Sequence, residues 1–232
     1  MRYALYYCPD KIEQLTDLGS QWLGRDAFTN TPVTQPDVDG ISKSEFWEYT
    51  ETPRRYGFHG TLKPPFRAAD GVSMDHVHEA VQTFARQTAP FELDGLSPNR
   101  LGKFLALTPT QPSTALDALA RRTITELDGL RAPLSEADIA RRRKADLTPE
   151  QDAYMLKWGY PYVFEFFRFH LTLSGKLSDK TALAAMQRAA LTHFAPVLGQ
   201  PVRINQIALF IEDEDGGPFR VADTFRFEGA SQ

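Results

Sequence analysis

The sequence predicts an α+β fold, built as one large domain or as two lobes sharing a core. Three observations carry this reading. Apolar or aromatic runs with strand character alternate with stretches of helical periodicity along the 232 residues. The composition, 42% hydrophobic, 24% charged and 12% aromatic, is that of a globular protein rather than a disordered, fibrous or membrane-spanning one. One pentapeptide pattern also occurs twice, each time within a run that reads as a strand.

The elements follow in order. Residues 2–8 are aromatic and apolar and stop at Pro9-Asp10, as a strand does, and residues 11–23 carry apolar side chains near helical spacing up to Gly24. Residues 26–53, rich in Thr, Pro, Asp and Gly, read as a long irregular excursion or lid. Residues 57–66 have strand character until Pro64-Pro65, which cannot donate to a ladder and should end the strand or mark an edge. A helix over 74–87 follows. Residues 91–93 and 103–107 are expected as two strands of a meander, with Gly95, Ser97, Pro98 and Asn99 as turn material between them. Ser113 caps a helix through Leu130, residues 133–149 read as a polar helix plus connection, and residues 156–161 as an ordered aromatic loop. Residues 163–175 read as a strand and 178–194 as an Ala-rich helix, and 202–211 with 219–227 as a closing hairpin.

Charge and cysteine usage exclude several classes. With 26 Lys+Arg against 30 Asp+Glu the net charge is −4, so no global field draws the chain onto nucleic acid or an anionic bilayer, and an anionic ligand needs a local pocket. Cys8 is the lone cysteine, which excludes an internal disulfide framework and a Cys-based zinc site. The N-terminal apolar run breaks too early for a signal-peptide core, and no run of ~18 apolar residues spans a membrane, so a cytoplasmic location is expected. His76 and His78 read as a solvated helix start rather than a metal site, since residues two apart on a helix diverge by roughly 200°. His193 suits the end of a helix. The basic run Arg141, Arg142, Arg143, Lys144 reads as a solvated helix face, and Trp158, Tyr160 and Tyr162 as core or loop anchors, with base stacking as the alternative.

The repeated pattern carries the chemistry. Phe58-His59-Gly60-Thr61-Leu62 and Phe169-His170-Leu171-Thr172-Leu173 are both F-H-x-T-L, and their histidines lie 111 residues apart. Strand side chains alternate faces, so each copy buries an apolar face and presents an imidazole beside a hydroxyl. Two such strands about an approximate two-fold axis would set two imidazoles and two hydroxyls around one cleft. A neutral imidazole can take a proton while a protonated one gives a proton to a leaving oxygen, and both forms are accessible near neutrality. The threonine hydroxyls can donate to phosphoryl oxygens. This is equipment for opening a phosphodiester without a metal.

The paired strands resemble the doubled H-x-T-hydrophobic signature of the two-histidine (2H) phosphoesterase superfamily, the LigT-like cyclic phosphodiesterases and 2′-5′ RNA ligase-like proteins. RRYGFHGTLKPPF (54–66), LGKFLALTP (101–109), LKWGYPYV (156–163) and FRFHLTLSG (167–175) further resemble the 2H-like family associated with bacterial phosphonate-utilisation operons. That family usually has Ala where Gly60 stands, at a position pointing away from His59. The resemblance implies a bilobal α+β fold over residues 1–232. Its two similar antiparallel-sheet-plus-helix lobes would surround a central cleft, with pseudo-repeat halves near 1–110 and 111–232 that exchange elements.

It also implies a phosphate-ester substrate. His59, Thr61, His170 and Thr172 are the expected catalytic residues. Lys63 and Ser174, two residues further along the same faces, and Arg55 and Arg168, of the same parity as their histidines, are expected to bind the substrate. No metal and no cofactor are called for. The expected partner is a small cyclic phosphate of a sugar or nucleotide, or an RNA end, with no membrane and no obligate protein partner. The expected activity is a cyclic phosphodiesterase, set within phosphonate metabolism. The alternatives are a 2′,3′-cyclic phosphodiesterase processing RNA ends and, from another class, a non-catalytic nucleotide- or RNA-end-binding protein.

Overall fold

The computed structural model describes residues 1–230; Ser231 and Gln232, the last two of the expected 1–232 unit, lie outside the described residues. The N-terminal apolar run forms β1 (Arg2–Tyr7), and α1 (Gln14–Leu23) follows, ended by Gly24 at φ 82°, a left-handed turn that a glycine adopts without strain. Short strands β2 (Arg25–Asp26) and β3 (Thr31–Pro32), then α2 (Lys43–Tyr49) and α3 (Glu51–Tyr56), occupy the stretch expected to be irregular. The two helices correct that expectation. A capping box, Ser42 with Glu45, starts α2 inside a segment whose Thr and Pro content masked it.

Next come β4 (Gly60–Phe66), α4 (Met74–Arg86), β5 (Phe91–Leu93), β6 (Leu96–Leu101), β7 (Phe104–Pro109) and α5 (Thr114–Glu126). The chain closes with α6 (Glu136–Arg142), α7 (Pro149–Trp158), β8 (Leu171–Thr172), α8 (Lys180–His193), β9 (Val202–Ile204), β10 (Gln206–Glu212) and β11 (Phe219–Arg226). No helix among the described residues is long and apolar enough to cross a membrane.

Several boundaries differ from the sequence reading, each for a local reason. The turn between β6 and β7 is at Gly102-Lys103, and Pro98 and Asn99 are strand residues. β6 is an edge strand, where a proline without an N–H leaves no ladder bond unmade. Strand β5 pairs with β9, which splits the expected 202–211 strand in two. Strand β4 runs through Pro64 and Pro65 because the β1–β4 register shifts between Tyr3 and Leu5, a bulge that absorbs the missing donors. Residues 156–158 end α7 rather than forming a loop, and the 163–175 run is a 3-10 turn at Phe164–Phe166 followed by the two-residue β8. The expected helix to Leu130 stops at Glu126 and continues as a 3-10 turn, Asp128–Leu130.

The α+β class is as expected. The main sheet is a single one of seven strands in the order β11-β10-β1-β4-β8-β7-β6, with antiparallel neighbours throughout. On one face Leu5, Tyr7, Leu62, Leu107 and Leu171 join apolar residues of α1, α4, α5 and α8 in the principal core. On the other face Ala4, Tyr6, Ala208 and Phe210 make a smaller cluster, which leaves room above the middle of the sheet. The core face is close-packed at its centre: a Cβ on Gly60 would run into the buried ring of Phe169. Gly60→Ala should therefore destabilise the protein by about 1–3 kcal/mol in denaturant titrations, as overpacked cores do. The smaller Phe169→Leu should recover part of that loss in the double variant. Additive losses would mean that the two positions do not meet.

Candidate active site

The two motif strands meet in one bridged pair, Gly60 opposite Leu171 in antiparallel register. Paired residues point to the same face, and here that face is the core, so their neighbours point the other way. Carried one residue in each direction, the register sets Thr61 opposite His170 and His59 opposite Thr172. Cross-strand neighbours have Cβ atoms about 4.5–5.5 Å apart and diagonal ones about 7–8 Å, so histidine and threonine alternate around a small quadrilateral. Along both motifs Phe58, Gly60, Leu62, Phe169, Leu171 and Leu173 are buried, whereas the two histidines and two threonines are each partly exposed.

The two imidazoles are oriented alike. His59 Nδ1 lies 2.8 Å from the Gly57 carbonyl oxygen, and His170 Nδ1 lies 2.7 Å from that of Arg168. A carbonyl oxygen only accepts, so Nδ1 carries the proton in both rings and each neutral imidazole presents a bare Nε2. His59 Nε2 accepts from the Thr61 hydroxyl at 3.2 Å. Gly57 makes this possible: it turns the chain out of α3 at φ 80°, and a Cβ there would sit 2.6 Å from Ala27 Cβ. Tyr6, opposite Thr61 on β1, stacks on the His59 ring with centroids 3.8 Å apart and planes at 19°. Phe104 packs against His170 at 5.5 Å.

Burial holds His59 neutral, pushing its pKa down to about 4 against the help of the Gly57 carbonyl, and the nearby His170 adds to the depression. Burial lowers His170 as well.

The quartet floors two adjoining hollows. One, about 360 Å³, is lined by His59, Thr61, Thr172, Tyr56, Arg141 and Arg142 among others. The other, about 550 Å³, is lined by Thr61, His170 and an aromatic wall of Phe104, Phe164, Phe166 and Tyr162. Thr61 and Tyr160 line both.

The four expected binding residues fare differently. Lys63 is buried beside the cleft with Nζ 3.4 Å from Asp128, and burial lowers its pKa to about 8. Arg55 pairs with the buried Glu212 carboxylate, which also takes Arg2, and donates to the Gly216 and Gly217 carbonyls. Arg168 turns its guanidinium onto the Glu165 and Phe167 carbonyls, so that its backbone oxygen is what reaches His170. Ser174 lies outside the cleft, a correction to the sequence reading. It is buried, and its hydroxyl accepts from Leu105 N–H and donates to the Gly175 carbonyl, both at 2.9 Å.

Among the other candidates, His76 completes the capping box of α4 with Ser73, and His78 meets Asp223. His193 Nε2 lies 2.8 Å from the Leu18 carbonyl. Arg141 and Arg142, read from sequence as a solvated face, line the cleft instead. Their helix α6 buries none of its residues, so no apolar stripe betrayed its position. Tyr160 also lines the cleft.

The model of the family described as "Protein of unknown function (DUF1045)" matches residues 61–220. The chain belongs to this DUF1045 family. It is similar to two curated proteins called "Ribose 1,5-bisphosphate phosphokinase PhnN". The one from Janthinobacterium sp. (strain Marseille) is 37% identical over 234 residues, covering 100% of this chain and 52% of that protein. The one from Laribacter hongkongensis is 39% identical over 221 residues, covering 95% of this chain and 50% of that protein. The DUF1045 chain thus spans about half the length of the curated relatives it matches. Among solved structures, remote likenesses are TT0787 of Thermus thermophilus and E. coli LigT complexed with phosphate. The first has a TM-score of 0.49 and 16% identity, covering 100% of both chains; the second has 0.48 and 11%, covering 97% of this chain and 96% of that one.

The depressed pKa of His59 has a consequence for stability. As pH falls from the ordinary 6.5 towards about 4, the unfolded histidine takes up a proton that the folded one refuses. Its contribution is therefore complete above 6.5 and lost as pH drops through this window. His59→Gln should flatten the stability profile there in denaturant titrations at stepped pH; an unchanged slope would mean that the folded ring titrates as a free imidazole.

Proposed function

We propose that this protein is a metal-independent phosphoesterase that opens a cyclic phosphodiester on a ribose-like or nucleotide substrate by two-histidine general acid/base catalysis. The observation that carries the proposal is the His/Thr quartet, with both Nδ1 atoms tied to carbonyls and both Nε2 atoms left for chemistry. In this reading the two halves of the seven-stranded sheet act as the two lobes of one bilobal unit, and the cleft lies over their junction.

His59, the imidazole held neutral furthest into acid, takes a proton from water through Nε2 as the water oxygen bonds to phosphorus. The phosphorus bond to the leaving ribose-type oxygen breaks, and that oxygen takes the Nε2 proton of His170. The product is a phosphomonoester beside a free hydroxyl, and solvent exchanges the protons back. Thr61 swings its hydroxyl from His59 to a non-bridging phosphoryl oxygen and Thr172 donates to another, stabilising the charge of the five-coordinate transition state. The proton transfers and hydrogen bonds that accompany P–O bond formation and cleavage are all supplied by the quartet, so the mechanism calls for no metal.

The names of the curated relatives support a phosphorylated ribose-like substrate, and the resemblance of the motifs to the phosphonate-operon family supports a place in phosphonate breakdown. A second reading, a 2′,3′-cyclic phosphodiesterase acting on RNA ends, is favoured by the aromatic wall beside His170, which suits a stacked base.

The test is turnover against a panel of small cyclic phosphodiesters and oligonucleotides ending in a 2′,3′-cyclic phosphate. His59→Ala or His170→Ala should lower turnover by about 10² to 10⁴, with the double variant little worse than either single one. Thr61→Val and Thr172→Val should lower kcat about 10- to 10³-fold. EDTA should leave the rate unchanged. Full activity in a single histidine variant, or loss in EDTA restored by a divalent metal, would overturn the mechanism. Binding of the panel without turnover would leave the non-catalytic reading.

The pH profile is a separate test. The reaction needs one neutral and one protonated imidazole, and burial moves both pKa values below 6.5, so the bell in kcat/KM should peak on the acid side of 6.5. The bell in kcat should lie at higher pH, because a bound phosphate anion favours the imidazolium form. A kcat/KM optimum on the alkaline side would contradict this.

A further inference from the structure

The cleft does not end at His59. Arg2, Tyr56, Arg141 and Arg142 line both the hollow above His59 and a second cavity of about 520 Å³ that continues away from the quartet. Seven cationic side chains line this annex. Four carboxylates neutralise part of that charge: Glu212 holds Arg2 and Arg55, Asp215 meets Arg67, Asp138 meets Arg141, and Asp128 takes both Lys63 and Arg131. Seven cations against four anions leave a surplus of three positive charges, in a chain whose net charge is −4. The surplus is therefore local, and an anion is what it attracts.

Arg142 marks where the anion would go. Among the ion pairs of the described residues it has none, and its Nε is buried without a hydrogen-bond partner. The guanidinium lies 5.6 Å from the Tyr160 ring, at the boundary between annex and cleft. A buried guanidinium donor left unmade is costly, and a phosphate presents acceptors that fit its fork. Apolar packing does not explain the position, since α6 buries no residue; its bonds are local, the Ser135 cap on Asp138 N–H and the pair Arg143–Asp152 to α7. Pro64, Pro65 and Pro133, each with a fixed φ, form part of its wall.

We propose that the annex is a second anion subsite, which holds a phosphomonoester carried by the same substrate whose cyclic phosphodiester lies over the quartet, and that Arg142 selects for it. The proposal rests on the phosphoesterase reading above and narrows its substrate to one with two phosphoryl groups. A phosphomonoester near neutrality carries close to two negative charges, which suits a surplus of three better than the single charge of a nucleic-acid diester. A nucleic-acid track would also need basic side chains continuing along the surface.

Titration of the protein with inorganic phosphate, followed by NMR of the imidazole rings and of the Arg142 Nε–Hε signal, tests the subsite. Arg142→Gln assigns that signal. Both groups should shift, with distinct saturation, and the variant should keep the imidazole shifts. Imidazole shifts with Arg142 unmoved would overturn the annex and leave the phosphoesterase reading standing. Arg142 moving while the imidazoles do not would instead sink the quartet as a phosphate site.

Selectivity is tested in a His59→Gln background, which prevents turnover, with adenosine 2′,3′-cyclic phosphate and its 5′-phosphorylated form as probes. The 5′-phosphate should tighten binding by about 10- to 100-fold, as charge-assisted bonds to a guanidinium do, and Arg142→Gln should remove most of that gain. Equal affinities would overturn the proposal. If Arg142→Gln fails to fold, Arg142→Lys serves: it keeps the charge but loses the guanidinium fork and Nε–H, so most of the preference should still be lost.

Discussion

The antiparallel register of one strand pair, Gly60 opposite Leu171, governs the rest of the molecule. A slip of β8 by one residue would turn His170 and Thr172 into the core and expose Leu171, and a slip of β4 would do the same to His59 and Thr61 against Leu62, so the register is defended from both sides. On the core face Phe169 fills the space that a side chain at Gly60 would need, which lets the two strands sit only where that gap and that ring coincide. Outside the pair, β4 is bound to β1 and β8 to β7, so neither strand is free to slide. Two residues of β8 then suffice, because the sheet around them carries the load of ordering.

The F-H-x-T-L repeat made the quartet legible because strand parity is a strict rule and the two copies obey it alike. Most helices were legible for a similar reason, since α4, α5 and α8 each bury a periodic face. What the sequence hid has physical causes. Helix α2 lay in a stretch dominated by Pro, Thr and Asp, and its capping box was its only strong signal. Strand β6 tolerates Pro98 because it is an edge strand, and edge position is a tertiary fact. Arg141 and Arg142 belong to a helix with no apolar face, so nothing local distinguishes a lining arginine from a solvated one. Ser174 obeys the parity of Thr172, but the sheet ends there and the backbone of Leu105 and Gly175 claims its hydroxyl.

The repeat is faithful only at the strands. Its shoulders have diverged, and the divergence gives the cleft a polarity. His59 is approached through Gly57, at the end of α3, and its side of the cleft opens towards paired and unpaired arginines. His170 is approached through Arg168 after the 3-10 turn, where Phe164 holds a positive φ of 54°, and its side opens onto aromatic rings. A bulky residue in that conformation is uncommon and costs energy, and here it sets the ring against Tyr154, Trp158 and Arg121 to build the wall. Two similarly oriented imidazoles thus face two unlike surroundings, one lined by charge and the other by apolar surface. A ligand with a charged end and an apolar end would enter such a cleft in one orientation.

That polarity bears on how a site with two depressed imidazoles comes to hold a proton. In the free protein, burial drives both rings towards the neutral form, and the charge of His170 further opposes that of His59. A phosphate entering between them reverses the balance, since one negative charge within about 4–6 Å stabilises an imidazolium. It cannot raise both equally, because His59 is the more deeply depressed of the two, stacked on Tyr6 and near the buried Arg25. In the proposed reaction the proton would then go to His170, beside which the leaving oxygen would lie, and His59 would stay neutral as the base. Unequal burial thus distinguishes the two rings before any ligand arrives, and in the proposed mechanism the anion supplies the negative charge that lets one of them hold a proton.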